Sequence, residues 1–308
     1  VKAVVFGYQE IGYICLEELV AFGAHVSCLF THEDDPREEI WFRRPVAIAQ
    51  KYDIPVYTPN TLKDEKWIQL IKAAAPDFIF SFYYRNMIPK AILDIPRVAA
   101  LNLHGSLLPK FRGRAPANWV LVAGEKETGV TLHEMLEKPD AGDIIAQKKI
   151  EIAFEDDVYT VYMKMADAAR QLMKKTLPKL ADGTFVRTPQ AGQSSYFGGR
   201  KPEDGLIAWQ QDALSLYNLT RAVTHPYPGA FTYLKGKKLF IWKAYPEDDN
   251  LSGVPGKVVS SIPLKVNTGR GSLKLLRVQM EGEEEMDAEK FASLHSISIE
   301  NEILGGSI

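Results

Sequence analysis

Cysteine is nearly absent from this chain: Cys15 and Cys28 are the two in 308 residues. Both sit in apolar surroundings without CxxC spacing, which argues against a disulfide framework or a thiolate zinc site and leaves two buried free thiols as the expectation. No apolar run approaches the roughly 20 residues that a membrane-spanning helix needs. The first residues, VKAVVFGY, enter a strand pattern directly, without the basic start, apolar stretch and small-residue site of a secretory signal. A cytoplasmic protein with no membrane insertion is therefore expected. Charge of one sign is missing too: 37 basic against 39 acidic residues give a formal net charge of −2, so no general attraction to nucleic acid or a membrane surface arises. No internal repeat is visible. The stretch GYQEIG, Gly7 to Gly12, is followed by no Gly-Lys-Ser/Thr and is not a dinucleotide fingerprint, so neither phosphate-binding loop is present there.

What is there alternates. KAVVFG is a short β-branched run, and ICLEELVAFG is apolar at helical spacing and stops at Gly23. HVSCLFTH, IPVYTP, PDFIFSFY and AALNLH read as strands, with helical RPVAIAQKYD and KDEKWIQLIKAAA between them. TGVTLHEML and DIIAQKKIEI supply further strands. PDFIFSFY is continuously apolar, as suits a parallel strand covered on both faces. Strand and helix repeated at this spacing predict an α/β fold, a Rossmann-like, largely parallel sheet. In the long helix DDVYTVYMKMADAARQLMKKTLPKL, one stripe is marked by Val158, Val161, Met165, Ala169, Leu172 and Thr176. Periodicity is lost between Thr188 and Gly205, where Pro, Gly, Ser and Gln accumulate, and this stretch reads as a linker. Beyond it come the helical DALSLYNLTRAV and short strands joined by Gly-containing turns, a small β-rich second domain. The acidic stretch Glu281 to Glu285 reads as a solvated turn.

The polar residues at one strand end pose a chemical question. Asn102 and His104 are two residues apart in AALNLH, so they share a face while Leu101 and Leu103 take the other. In an open α/β sheet ligands bind beyond the carboxyl ends of the strands, where this pair is expected. An Asn capping a turn beside a hydrogen-bonded core His remains the plain structural alternative. Asp140, in the Pro-Asp-Ala-Gly loop, either closes an Asx-turn or lies beside His104, orients its ring and raises its pKa. Spacing alone does not choose.

The segments LNLHGSLLPKFRGRAPANW and DAGDIIAQ together resemble the paired signatures of the folate-dependent formyltransferases: Asn-x-His on a strand, a Ser-Leu-Leu-Pro loop, an Arg-Gly turn, and a later Asp in an Asp-x-Gly loop. FSFYYRNMI and VTHPYPGAFTY add to the likeness, which covers nearly the whole chain. It implies a formyltransferase catalytic domain over 1–190, a linker over 191–204, and a C-terminal β-barrel related to the oligonucleotide-binding fold over 205–308. It also implies catalytic roles for Asn102, His104 and Asp140, with Asp140 favouring the protonated form of His104. The co-substrate implied is N10-formyltetrahydrofolate, and no metal is called for. Folate contacts fall on Asn86, Met87 and Ile88 at the end of the FIFSFYY strand, on Arg114, and on Leu136, Glu137, Lys138 and Pro139. Arg114 has the alternative of merely anchoring its loop. The acceptor implied is the 4-amino group of a nucleotide-linked sugar, UDP-4-amino-4-deoxy-L-arabinose, which connects to lipid A modification and polymyxin resistance. A decarboxylase, fused or separate, is the partner that goes with it. Another nucleotide-linked amino sugar and methionyl-tRNA are the alternatives. Glu33, Asp34, Asp35, Glu38 and Glu39 in THEDDPREEIWFRR argue against RNA, whereas LKGKKLFIWK is locally basic.

Overall fold

A computed structural model describes residues 1–36, 38–249, 253–297, 299 and 302–305. The chain packs as two compact units. One comprises Val1–Pro116, Glu127–Ile152 and Tyr162–Gly198; the other comprises Ala117–Lys126, Ala153–Val161 and the chain from Gly199 onward. In chain order the elements are β1 (Lys2–Gly7), α1 (Gln9–Ala21), β2 (His25–Phe30), α2 (Pro45–Lys51), β3 (Val56–Tyr57), α3 (Glu65–Ala74), β4 (Phe78–Phe82) and α4 (Lys90–Leu93). Then follow β5 (Ala99–His104), β6 (Arg112–Gly113), α5 (Pro116–Val122), β7 (Glu127–Glu134), β8 (Ile144–Glu151), α6 (Val158–Asp182) and β9 (Tyr196–Phe197).

The first unit is built on a seven-stranded sheet in the order β3-β2-β1-β4-β5-β7-β8. Pairing is parallel from β3 to β5 and antiparallel where β7 and β8 are added. Every residue of β4 is buried, because helices cover both faces of a parallel sheet and leave no polar side. The core there is aliphatic and aromatic, with Val4, Phe6, Phe30, Ile79 and Ile92 buried together with Cys28. Both thiols are free and buried. Helix α1 ends as its sequence predicts. Gly23 adopts φ +83, and Gly23 N–H and Ala24 N–H bond back to the carbonyls of Val20 and Leu19, closing the last turn in a left-handed cap. The stripe of α6 is buried at every position named from the sequence.

The second unit holds α7 (Ala213–Val223), β10 (Ala230–Leu234), β11 (Lys237–Glu247), β12 (Val258–Ser261), β13 (Leu264–Asn267), β14 (Ser272–Met280), β15 (Met286–Asp287) and α8 (Ala288–Leu294). Its sheet runs β10-β11-β14-β13-β12 with β15 on β14, antiparallel throughout. Helix α7 starts at Asp212, whose carboxylate accepts the N–H of Ser215, an N-cap that satisfies one orphan donor. Arg221 is buried because its guanidinium donates to the carbonyls of Ala153 and Asp156 and to Asn218 Oδ1.

One expectation needs correction. The FIFSFYY strand ends at Phe82, since Tyr83 takes φ +58 and turns the chain out of the ladder, leaving Asn86 in a loop. The acidic stretch is a turn with Glu281 and Glu284 exposed, as expected, and its remaining carboxylates are paired. The β14–β15 reversal pairs Arg277 with Asp287 in register, so Glu285 meets Arg277 and His225, while Glu283 meets His295. Among the described residues no helix is long and apolar enough to cross a membrane.

Candidate active site

The carboxyl end of β5 carries the polar pair read from the sequence. Its neighbours explain the company it keeps. On one side Ser81 of β4 lies opposite Asn102 in parallel register; on the other, antiparallel pairing sets His133 of β7 opposite Asn102 and Thr131 opposite His104. Directly opposed residues on one face are the contact pairs of a sheet. Asn102 Nδ2 accordingly lies 3.1 Å from His133 Nε2. Sequence reasoning read TGVTLHEML as a strand and did not count His133; period-two alternation puts Thr131 and His133 on one face, and the unknown was which strand they would meet.

After His104 the chain leaves the sheet in a loop pinned from several sides. Thr131 Oγ1 donates to Ser106 O at 2.6 Å and accepts from Leu108 N–H at 3.2 Å and from Gln147 Nε2 at 2.9 Å. Ser106 Oγ closes on Lys110 O, and Ser195 Oγ accepts the N–H of Phe111. Phe111 sits at φ +57, which turns its carbonyl onto His104 Nε2 at 2.7 Å. A carbonyl only accepts, so His104 carries its proton on Nε2 and presents a lone pair at Nδ1.

Asp140 reaches the same place from the loop between β7 and β8. Its Oδ1 lies 3.7 Å from His104 Nδ1 and 3.5 Å from His133 Nε2, and Oδ2 accepts the Gly113 N–H at 2.8 Å. Gly113 has no substitute there: its φ is +98, and a Cβ would overlap the carbonyl oxygen of Phe197. Gln190 fixes the loop, donating to the carbonyls of Asp140 and Gly142 and accepting from Arg112. Gln190 lies in the stretch read as aperiodic, as does Ser195, which bonds to the loop, while Tyr196–Phe197 pair with β6. These are side-chain and two-residue contacts, which leave no periodic signature.

Burial opposes ionisation of Asp140, but the facing imidazoles of His133 and His104 and the Gly113 N–H outweigh it and hold the carboxyl at about 2. Asp140 is therefore a carboxylate at neutral pH. For His104 the balance falls the other way. Burial lowers its pKa, and the Asp140 charge and the Phe111 carbonyl do not make up the difference. The Asp140 charge does favour a protonated ring, as expected, but desolvation of the cation exceeds this attraction across 3.7 Å, so the resting His104 is neutral. A neutral imidazole with a lone pair at Nδ1, a carboxylate beside it and an amide on the same strand form an arrangement able to take up a proton and steady the resulting cation.

Of the other residues predicted for the site, Asn86 is exposed. Ile88 is buried in the core, while Met87 is 65% exposed. Met135 and Tyr84 pack against the cluster that includes Ile88, which brings the two ends of the 84–88 and 135–140 segments onto common ground. Arg114 is exposed and donates to Arg85 O at 3.1 Å, so it does anchor its loop, and to the same 83–88 stretch. Leu136, Glu137 and Lys138 are exposed, and Pro139 is partly so. Among the described residues no group of three or more His, Cys, Asp or Glu could hold a metal ion.

Solved structures of similar fold include HypX from Aquifex aeolicus in complex with tetrahydrofolic acid, at 20% identity and a TM-score of 0.62, covering 96% of this chain and 48% of that one. This chain thus spans about half the length of HypX. The N-formyltransferase from Helicobacter canadensis, in complex with folinic acid and dTDP-3-aminofucose, matches at 18% identity and a TM-score of 0.67, over 93% of this chain and all of that one. WlaRD, a sugar 3N-formyl transferase solved with dTDP and 5-N-formyl-THF, matches at 18% identity and a TM-score of 0.68, over 92% and 99%. The formyl transferase family matches residues 9–177 and its C-terminal domain residues 200–296. With Asn102, His104 and Asp140 gathered at one strand end inside the matched region, the chain belongs to the formyl transferase family.

Proposed function

We propose that this protein transfers the formyl group of N10-formyltetrahydrofolate to the 4-amino group of UDP-4-amino-4-deoxy-L-arabinose, with Asn102, His104 and Asp140 as the catalytic set. The observation that carries the reading is the neutral His104 with its lone pair at Nδ1, 3.7 Å from the part-buried Asp140 carboxylate. The amine attacks the formyl carbon, so a new C–N bond forms and negative charge develops on oxygen. An N–H of Asn102 stabilises that oxygen; one such donor is typically worth ~3–4 kcal/mol. The attacking nitrogen becomes cationic and gives its proton to His104 Nδ1. The imidazolium, steadied by Asp140, passes it to N10 as the C–N10 bond breaks and tetrahydrofolate leaves. No net proton is gained or lost.

The folate is assigned to the ground shared by the 86–88 and 136–139 segments, with Arg114 on its rim. Exposed Met87 and Leu136 suit a planar ring, and backbone groups of the two loops suit its polar edge. The folate compounds bound to the neighbours from Aquifex and Helicobacter support a folate co-substrate, and the aminofucose nucleotide of the latter supports a nucleotide-linked amino sugar as acceptor. A decarboxylase, fused or separate, is the partner enzyme that goes with this reading of lipid A modification in the cytoplasm.

The test is a formyl-transfer assay with N10-formyltetrahydrofolate that offers UDP-4-amino-4-deoxy-L-arabinose, a dTDP-amino sugar and methionyl-tRNA side by side. Turnover with the UDP sugar is expected. Turnover with another acceptor alone would keep the chemistry and replace the substrate, and none with any of the three would overturn the reading.

A further inference from the structure

The catalytic set read from the sequence leaves out a side chain that touches two of its members. His133 is 1% exposed, faces Asn102 across the β5–β7 ladder, and is held at both ring nitrogens. Its Nδ1 lies 2.7 Å from Glu134 O. Since a carbonyl has no proton to give, Nδ1 must carry one. In the neutral ring that leaves Nε2 with a lone pair, which accepts from Asn102 Nδ2 at 3.1 Å, while Asp140 Oδ1 lies 3.5 Å from the same atom. Glu134 cannot drift: its own N–H is bonded to Asp143 O, and its carboxylate holds Arg187. The ring is thus clamped to the backbone of its own strand and aims one atom at the site.

The consequence concerns Asn102. The terminal torsion of an asparagine is broad and roughly two-fold, so an Asn at a strand end does not by itself present N–H rather than oxygen to a substrate. The network places the amide nitrogen of Asn102 on the His133 side. One of its two N–H groups is taken by the ring, and the other remains.

We propose that His133 is the positioning residue of this site: through Nε2 it sets the rotation of the Asn102 amide, leaving one N–H directed at the oxygen of the formyl group. This rests on the formyl-transfer reading above. His133 touches neither the amine nor the leaving nitrogen in that scheme and acts through Asn102. A donor set in advance needs no reorganisation as charge develops on the oxygen, which is where preorganised dipoles contribute most.

Two measurements test it. In the first, substrate-free protein labelled with 15N-histidine is examined by two-bond nitrogen–proton spectra, with His133 assigned by the signal missing from His133→Gln. A proton on Nδ1 of His133 and none on Nε2 is expected; an unprotonated Nδ1 or a protonated Nε2 would overturn the proposal. In the second, His133→Leu and His133→Gln are assayed after their folding is verified by thermal melts. Leucine should lower kcat roughly 10- to 100-fold with KM for both substrates within about threefold, whereas glutamine, which keeps a hydrogen-bonding atom near the Nε2 position, should recover most of the loss. Asn102→Ala with His133→Leu should be no more than about threefold slower than Asn102→Ala alone, because a positioning residue has nothing left to position. Additive losses, a rise in KM at unchanged kcat, or a glutamine variant no better than leucine would each refute it. Should the leucine variant not fold, the glutamine variant and the spectra decide. Should the wild type transfer no formyl group at all, the functional reading fails while the spectra still judge the His133 contacts.

Discussion

Replacing Asp140 with asparagine isolates the electrostatic part of the site. The substitution keeps size and shape and leaves an oxygen to accept the Gly113 N–H at the Oδ2 position, while it removes the negative charge. The distance that matters is the 3.7 Å between Oδ1 and His104 Nδ1. In the resting enzyme His104 is neutral and the charge has little to act on; as the ring takes the amine's proton, an ion pair forms. Two unit charges at that separation attract by about 4 kcal/mol at an effective dielectric of about 20. A proton half-transferred in the transition state realises about half of it. Asp140→Asn should therefore lower kcat by roughly 30- to 1,000-fold, with little change in KM for either substrate. The assay is steady-state formyl transfer with the folate product followed directly, after thermal melts show the variant folded. A kcat within about threefold of wild type would refute the role of the carboxylate, and a loss confined to KM would move Asp140 from chemistry to binding. The same substitution tests a stability linkage. A carboxyl held at about 2, below its unfolded value near 4, adds roughly 2 kcal/mol to folding above that range, and loses it as pH falls from about 4 to about 2. The variant should lack this part of the acid transition.

The remaining predictions concern the frame. The NMR titration of the His104 ring should have its midpoint below the ordinary value of about 6.5, because burial disfavours the cation. The sign of its stability contribution follows: complete above about 6.5, falling as pH drops through that value, since the unfolded chain takes the proton first. A midpoint at or above 6.5 would contradict the burial argument. Thr131→Val keeps the shape but strips partners from Ser106 O, Leu108 N–H and Gln147. It should cost roughly 1–3 kcal/mol in urea unfolding, and an unchanged midpoint would mean that the loop is held by other contacts. Gly113→Ala must either abandon a positive φ or push Phe197 aside. A loss of roughly 1–3 kcal/mol and a lower kcat are expected, and a wild-type melt would show that the turn relaxes freely.

How much of this was legible beforehand depends on range. The cap at Gly23, the buried β4 and the stripe of α6 were all readable, because each follows from a local period or from the backbone freedom of one residue. Asn102 and His104 could be placed on one face by alternation alone, and the motif to which Asp140 belongs pointed to it. The end of β4 was misplaced by a Tyr at positive φ, a conformation to which its residue type gives no clue. The ion pairs of the acidic turn were not legible, because their partners, Arg277, His225 and His295, come from other elements.

The sequence by itself determined the fold class and the identities at the centre of the site, since strand and helix periods and a multi-part motif are properties of order along the chain. Only the tertiary structure decided the protonation state of His104 and the place of His133. The first is a contest between burial and a charge 36 residues further on, and burial has no local signature. The second is a matter of register: antiparallel pairing of β5 with β7 puts His133, and not a neighbour, opposite Asn102, and a slip of one residue would have sent it to the other face of the sheet.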